Sequence, residues 1–306
     1  MRDFLSVADL SRDDFQRVLD RALLIKEEVR QGQWRTELAG KTVALLFQKP
    51  SLRTRVSFEQ GIRQLGGHAL YLSPAEVGLG ERESVPDVAR VLSRYVDGIV
   101  VRANRHSDIE MLARYSSVPV INALSDLTHP CQALADLLTV REKKARLSGL
   151  VMTYVGDGNN VAHSLILGAA KAGIHLRIAC PAGFEPSARI VESALPDREA
   201  TGATLSIMRS PADAATGADI LYTDVWTSMG QETESENRRR AFIGYMIDGP
   251  LLNLAKPDAI VMHDLPAHRG EEITDEVIDG PQSVVFDQAE NRLHAQKGLL
   301  SVIFAG

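Results

Sequence analysis

Two guanidinium groups and two hydroxyls fall within five residues in the segment Gln48-Lys49-Pro50-Ser51-Leu52-Arg53-Thr54-Arg55. Arginines this close repel each other unless an anion or acids lie between them, and the guanidinium fork matches phosphate oxygens in bidentate geometry. An apolar run at 42–47 precedes the segment, and a helical pattern at 57–65, stopped by Gly66-Gly67, follows it. At a strand-to-helix turn of this kind, free backbone N–H groups and the positive end of the helix dipole favour an anion. The chemistry indicated is the holding of a small phosphorylated ligand. The plainer alternative is a serine-capped helix carrying two solvated arginines.

Four further segments carry polar side chains at comparable places. His129-Pro130-Cys131-Gln132 opens a helical pattern, with Pro130 suited to its first turn. An imidazole and a carboxamide three residues apart can address one carbonyl oxygen and an adjacent amide nitrogen. A hydrogen-bonded structural histidine accounts for the same residues equally well. Gly156-Asp157-Gly158-Asn159-Asn160-Val161-Ala162 follows an apolar run but lacks the third glycine of a dinucleotide fingerprint, which argues against a dehydrogenase. Its asparagines suit a carboxylate or an amino group instead. Asp224-Val225-Trp226-Thr227-Ser228-Met229-Gly230 and His263-Asp264-Leu265-Pro266-Ala267-His268-Arg269-Gly270 each follow a short apolar run. Ligands in open α/β sheets bind at such strand ends, where Asp224 can meet an amine and Asp264 can anchor or deprotonate one. Either segment also reads as an ordinary strand-end turn.

Short apolar runs must position these residues. They recur at 98–101, 118–121, 150–155, 176–179, 220–222 and 259–262, separated by helical patterns. This alternation predicts an α/β fold of parallel sheets with helices on both faces. A chain of 306 residues exceeds the usual single core, which predicts two domains. The polar stretch at 141–149 is the best boundary, so the first domain is expected to span 1–145 and the second 146–288, with a C-terminal helix at about 289–306 returning to the first. Residues 7–31 read as two amphipathic helical stretches, the second capped by Ser11 and ending near Gly32. The charged run at 231–240 reads as a solvated surface or as a loop beside a site, and Arg238 to Arg240 carry no separate signal.

Composition narrows the function classes. A net charge of -6 argues against nucleic-acid binding while allowing a local basic pocket for a small anion. No apolar run reaches the roughly 18 residues of a membrane span, and the amino terminus lacks the pattern of a secretory signal. The expectation is a soluble cytoplasmic protein that binds no membrane. Cys131 and Cys180 make no disulfide framework, and the absence of a Cys/His cluster at ligand spacing argues against structural zinc.

In their order along the chain, these five motifs resemble the aspartate/ornithine carbamoyltransferase family over essentially the whole length. Ser51-x-Arg53-Thr54-Arg55 and His129-Pro130-x-Gln132 match its carbamoyl phosphate signatures, while Asn160 and Asp224-x-x-x-Ser228-Met229-Gly230 are similar to its ornithine branch. The resemblance implies that carbamoyl phosphate is held by Ser51, Leu52, Arg53, Thr54, Arg102, His129, Gln132, Leu265 and Arg292. Ornithine is implied at Asn160, Asp224, Ser228 and Met229, with 231–240 as a closing loop. The implied reaction joins the carbamoyl group to the δ-amine of ornithine, giving citrulline and phosphate, with no metal or cofactor. Arg102 and His129 are the implied catalytic residues, and Asp264 joins them by its place. A homotrimer, or a multiple of trimers, is the implied assembly.

Two positions depart from the family pattern. Asp264 stands where the ornithine branch carries cysteine, and neither Cys131 nor Cys180 replaces it by register. Gly78 stands where family members place a Gln or His that reaches the carbamoyl phosphate of a neighbouring subunit. The alternatives weighed against the ornithine reading are another amine acceptor (putrescine, lysine or N-acetylornithine) and a noncatalytic ligand-binding homologue.

Overall fold

The computed structural model describes residues 2–227 and 235–304. The chain divides into two compact units, one comprising 1–138 and 290–306, the other 139–289. The first begins with a 3-10 turn at Val7–Asp9 and helix α1 (Arg12–Arg30), followed by β1 (Thr42–Phe47), α2 (Leu52–Gln64), β2 (His68–Leu72), α3 (Pro74–Val77) and α4 (Val85–Leu92). It continues with β3 (Gly98–Arg102), α5 (His106–Tyr115), β4 (Val120–Leu124) and the start of α6 (Pro130–Lys144). Its four strands are all parallel, in the order β2-β1-β3-β4.

The second unit contains β5 (Val151–Val155), α7 (Asn160–Ala172), β6 (His175–Ala179), α8 (Ala188–Ser193), α9 (Leu195–Thr201), β7 (Leu205–Met208), α10 (Pro211–Ala215) and β8 (Ile220–Thr223). Then come α11 (Ser235–Ala241), α12 (Gly249–Leu252), β9 (Ile260–His263), α13 (Asp275–Ile278) and α14 (Val285–Phe304), the last of which carries the chain into the first unit. Its five parallel strands run β7-β6-β5-β8-β9. The fold is thus α/β, as the alternation of apolar runs predicts, with two parallel sheets flanked by helices.

Strands β1, β3, β8 and β9 are buried along nearly all their length because both their faces are covered, which requires near-continuous apolar sequence. In the first unit, Ala44, Leu46, Ile99 and Val101 pack with Val88, Leu92, Ile109 and Leu112 of α4 and α5. In the second, Val155, Ala179, Leu221 and Val261 pack with Ile247, Leu251, Val277 and Ile278. Helix α7 is buried from Val161 to Ala172, which explains its apolar character all round. Among the described residues, no helix is long and apolar enough to cross a membrane.

Several local expectations need correction. Of the two helical stretches expected at 7–31, the first is a single 3-10 turn, while Ser11 does cap the second by accepting from the Asp14 N–H. Helix α2 begins at Leu52, five residues before the apolar pattern at 57. The polar stretch at 141–149 starts as the last turn of α6 and leaves it at Ala145, whose φ is 58°. The charged run at 231–240 ends in helix α11 rather than in loop, and its residues 231–234 lie outside the described residues. Strands β2 and β7 had no counterpart among the apolar runs.

One buried charge has a stability consequence. Lys297 on α14 is fully buried and donates to Oε1 of Gln64 at 2.8 Å. Burial pushes its ammonium down to about 8, with Glu290 opposing and Lys26 adding to the shift. Between that value and the ordinary lysine range, the unfolded chain holds a proton that the folded one has lost, so this group makes stability rise with pH from about 8 to about 10. Lys297→Met is expected to remove that rise and to add about 1–2 kcal/mol of stability at pH 7. The charge penalty is roughly 3 kcal/mol and is partly offset by the lost bond to Gln64. Denaturant unfolding of both proteins at pH 7 and pH 9.5 measures both effects.

Candidate active site

A strand order of 2-1-3-4 places a switch point between β1 and β3, where successive connections leave in opposite directions and open a crevice at the strands' carboxyl ends. The first polar cluster forms there. Ser51 caps α2 through its hydroxyl, which accepts from the Thr54 N–H at 3.4 Å and lies 3.0 Å from Oγ1 of Thr54. The N–H groups at the start of α2 and the half-buried Arg53 therefore sit where an anion is favoured. Leu52 exposes its side chain (76%), so what it offers a ligand is its backbone N–H. Arg55 turns elsewhere: it pairs with Glu59 at 2.8 Å and its guanidinium lies 3.8 Å from the Tyr71 ring centre.

Arg102 ends β3, and its carbonyl accepts from the Gln48 N–H across the switch point. The β3-β4 register skips a residue there, pairing Val101 with Asn122 and Arg102 with Leu124. Such irregularities re-aim a side chain at a strand end. Arg102 is buried, as are His129 and Gln132 on the turn into α6, where Gln132 donates to Asp136 at 2.8 Å. Arg292, from the C-terminal helix, donates to Oγ1 of Thr54 at 2.7 Å and lies close enough to Cys131 to act on its thiol. Residues more than 230 positions apart thus meet at the start of α2.

The second sheet, in the order 7-6-5-8-9, switches between β5 and β8. Asn159 caps α7 by accepting from the Val161 and Ala162 N–H groups at 3.0 and 3.2 Å. Its amide donates to Oδ2 of Asp224 at 2.7 Å, spanning the ends of the two strands. Asp224 is buried, its other oxygen accepting from the Val225 N–H at 2.7 Å. His263 ends β9 and Asp264 follows it, and one ligand atom from each of Asp224, His263 and Asp264 fits within a span of 4.8 Å. Burial, and next the negative charge of Asp264, raises the Asp224 carboxyl well above the usual carboxylate range, while His263 and the Asn159 bond oppose the shift.

Beneath the acids, His263 is fully buried, with Nε2 2.9 Å from Oε1 of the equally buried Glu272 and Nδ1 3.5 Å from Asp264. Burial alone would push the imidazole down. Its bonds to Asp264 and Glu272 outweigh burial and raise it. The Leu265 N–H donates to Nδ1 at 2.9 Å, which places the proton of the neutral ring on Nε2, facing Glu272, and opposes the second proton that the two acids favour. Leu265 takes φ 58°, a left-handed region that non-glycine residues rarely adopt.

Of the residues singled out by motif, the first unit brings Ser51, Arg53, Thr54, Arg102 and Arg292 to one switch point. The second brings Asn160, as the first residue of α7, together with Asp224 and Asp264 to the other. Ser228 and Met229 lie outside the described residues. Sequence reading missed Asn159 as the partner of Asp224, and it missed Glu272. The first stood inside a recognised motif, whereas the second is an acid with no local pattern. Gly78 takes φ 54° at the end of α3, and a Cβ there would lie 2.8 Å from Cβ of Arg82. A side chain there would have to displace Arg82 and hold a left-handed backbone.

Neither cysteine is exposed. Burial raises the Cys131 thiol to about 12 and the Cys180 thiol to about 11. Thiolates are the reactive form, so a disulfide reagent is expected to titrate no thiol rapidly in the native protein and two after denaturation. A fast-reacting native thiol would contradict this assignment.

Two family models match the chain. The carbamoyl-P binding domain of aspartate/ornithine carbamoyltransferase covers residues 2–142, and the Asp/Orn binding domain covers residues 148–303. The ornithine carbamoyltransferase of Thermococcus kodakarensis is 52% identical over 305 residues, spanning 100% of this chain and 97% of that protein. The structure of ornithine carbamoyltransferase from Pyrococcus furiosus superposes with a TM-score of 0.97 at 50% identity, covering 100% of this chain and 97% of that one. A structure of acetylornithine transcarbamylase complexed with acetylcitrulline gives a TM-score of 0.89 at 32% identity, covering 99% of each chain.

Proposed function

This chain belongs to the aspartate/ornithine carbamoyltransferase family, and from that premise we propose that it transfers the carbamoyl group of carbamoyl phosphate to the δ-amine of L-ornithine, giving L-citrulline and phosphate. The observation that carries the reading is a division of charge. The switch point of the first sheet gathers Arg53, Arg102 and Arg292, and that of the second gathers Asp224 and Asp264. One suits a phosphorylated donor and the other a diamine. The identity to ornithine enzymes over the whole length favours ornithine over its acetylated form.

In this reading, the first unit binds carbamoyl phosphate and the second binds ornithine. Ser51, Arg53, Thr54, Arg102, Arg292 and the Leu52 N–H hold the phosphate, while His129, Gln132 and the Leu265 carbonyl hold the carbamoyl end. Asn160, Asp224, Ser228 and Met229 take the amino-acid end of ornithine. The neutral δ-amine attacks the carbonyl carbon. The C–N bond forms as the carbonyl oxygen gains charge, Arg102, His129 and Thr54 stabilise that oxyanion, and collapse breaks the C–O bond to phosphate, which leaves with the proton that the attacking nitrogen gives up.

An ammonium with an ordinary pKa near 10 is no nucleophile, so a proton must leave first. Asp264 accepts the ammonium's hydrogen bond and takes its proton. Without ligand, the buried Asp224 holds a proton more readily than an ordinary carboxyl does, because burial and the neighbouring Asp264 charge both oppose its ionisation. A bound ammonium supplies the missing positive charge and expels that proton. The enzyme works in the cytoplasm as a homotrimer or a multiple of trimers.

The test is an acceptor panel. With carbamoyl phosphate as donor, ornithine is expected to be carbamoylated at least 100-fold more efficiently than putrescine, lysine, N-acetylornithine or aspartate. Preference for another amine would replace the acceptor, and no turnover with any of them would leave a ligand-binding homologue.

A further inference from the structure

Helix α11 carries three consecutive arginines, and they do different things. Arg239 and Arg240 are exposed and pair with Glu271 and Glu236 at the surface. Arg238 is buried: its Nη1 donates to Oδ2 of Asp157 at 2.7 Å and to the Trp226 carbonyl at 3.1 Å, and its guanidinium lies 5.1 Å from the Phe184 ring centre. A buried charge is retained only where its partners are fixed, so this contact ties three segments together.

The connections form a closed ring. Asp157 stands two residues before Asn159, whose amide donates to Asp224, and Asp224 stands two residues before Trp226. Arg238 closes the circuit by bridging Asp157 and Trp226. Packing backs the ring on both sides. Trp226 stacks on Phe242, the residue just past the end of α11, with ring centres 5.7 Å apart and planes 18° apart, and Phe184 meets Phe242 edge-on at 4.8 Å. At Gly158 a Cβ would lie 2.2 Å from the Pro186 backbone nitrogen, and the Gly158 N–H donates to the Phe184 carbonyl. The turn that carries Asn159 is therefore held from below as well.

We propose that Arg238 is a positioning residue for the acceptor: by locking the Asp157 and Trp226 backbones to each other, it fixes the distance between the start of α7 and the carboxylate of Asp224. The inference deepens the reading of this cluster as the amine-acceptor site and rests on it. Asp224 has a fixed bond to Asn159 but stands at the head of a chain segment. Without Arg238, the stacking of Trp226 on Phe242 is the side-chain anchor left among the described residues, and the Asn159–Asp224 pair loses its register. The contacts of Arg238 named above all lie within the second unit, so the effect is expected on the acceptor.

The wild-type protein is first assayed with ornithine. Failure there overturns the acceptor reading itself and is recognised before any variant is made. Given turnover, Arg238→Met and Asp157→Asn are expected to raise the KM for ornithine at least 10-fold while leaving the dissociation constant of carbamoyl phosphate, measured by calorimetry, within 2-fold. Asp157→Asn keeps the shape of the pair and carries the test should the methionine variant not fold. Arg238→Lys, which keeps the charge but not the fork, is expected to recover part of the loss. An ornithine KM within 2-fold of wild type in the folded variants, or an equal loss of affinity for both substrates, overturns the proposal.

Discussion

Replacing Arg102 with methionine is expected to reduce kcat/KM for carbamoyl phosphate by about 10²–10³-fold, the range for removing one donor aimed at charge that develops in a transition state. The reason lies in its placement. Arg102 ends a fully buried strand, one bond from Gln48 across the switch point, and the skipped register between β3 and β4 sets its direction. A side chain positioned by the sheet itself has little freedom to lose, so its charge acts at full strength in a buried setting. Methionine fills similar volume without a charge, so the unfolding midpoint is expected to stay within a few degrees. Steady-state kinetics and thermal unfolding decide the matter: near-wild-type turnover in a folded variant would remove Arg102 from the reaction.

The second large effect is expected at Asp264. Asp264→Asn should reduce the maximal kcat/KM for ornithine about 100-fold, the lower part of the range for losing a positioned base. The pH profile carries a separate signature with a definite sign. After burial, the charge of Asp264 is what holds the Asp224 carboxyl up. Removing that charge lets Asp224 ionise at lower pH, so the acid limb of the profile should move down the pH axis even as its plateau falls. A lowered plateau with an unmoved limb would make Asp264 a base that is not coupled to Asp224. An unchanged plateau and limb would exclude it from both roles.

The parts of this fold legible in the sequence are those whose physics is local. Strands β1, β3, β5, β8 and β9 are buried on both faces and read as apolar runs. Strands β2 and β7 are only partly buried, unlike the opposite edges β4 and β9, so their sequences, His68-Ala69-Leu70-Tyr71-Leu72 and Leu205-Ser206-Ile207-Met208, need no continuous apolar stretch. Helix α2 starts early for a related reason. Its first turn is Leu52-Arg53-Thr54-Arg55, chosen for an anion rather than for the core, and carries no apolar period.

The site divides in the same way. Residues in a strand-end turn, such as Ser51, Thr54, Asn160 and Asp224, were visible because a turn after a strand is itself a signal. Arg238 was hidden among charged neighbours, since nothing in Arg238-Arg239-Arg240 says which of the three faces inward. That is settled by the pitch of α11 against Trp226 and Phe184. Glu272 was hidden because a buried acid needs a partner, and its partner His263 lies nine residues back on another element.

The glycine at position 78 has a bearing on how this loop can change. A side chain placed there meets two obstacles together, a left-handed backbone and the Cβ of Arg82 at 2.8 Å. The Arg82 N–H is itself bonded to the Gly78 carbonyl, so the obstacle cannot swing aside without opening the turn. No single substitution therefore walks the loop back to a glutamine or histidine at that place. A side chain at 78 has room only if the turn opens or if residue 82 gives up its own Cβ, which couples the two positions.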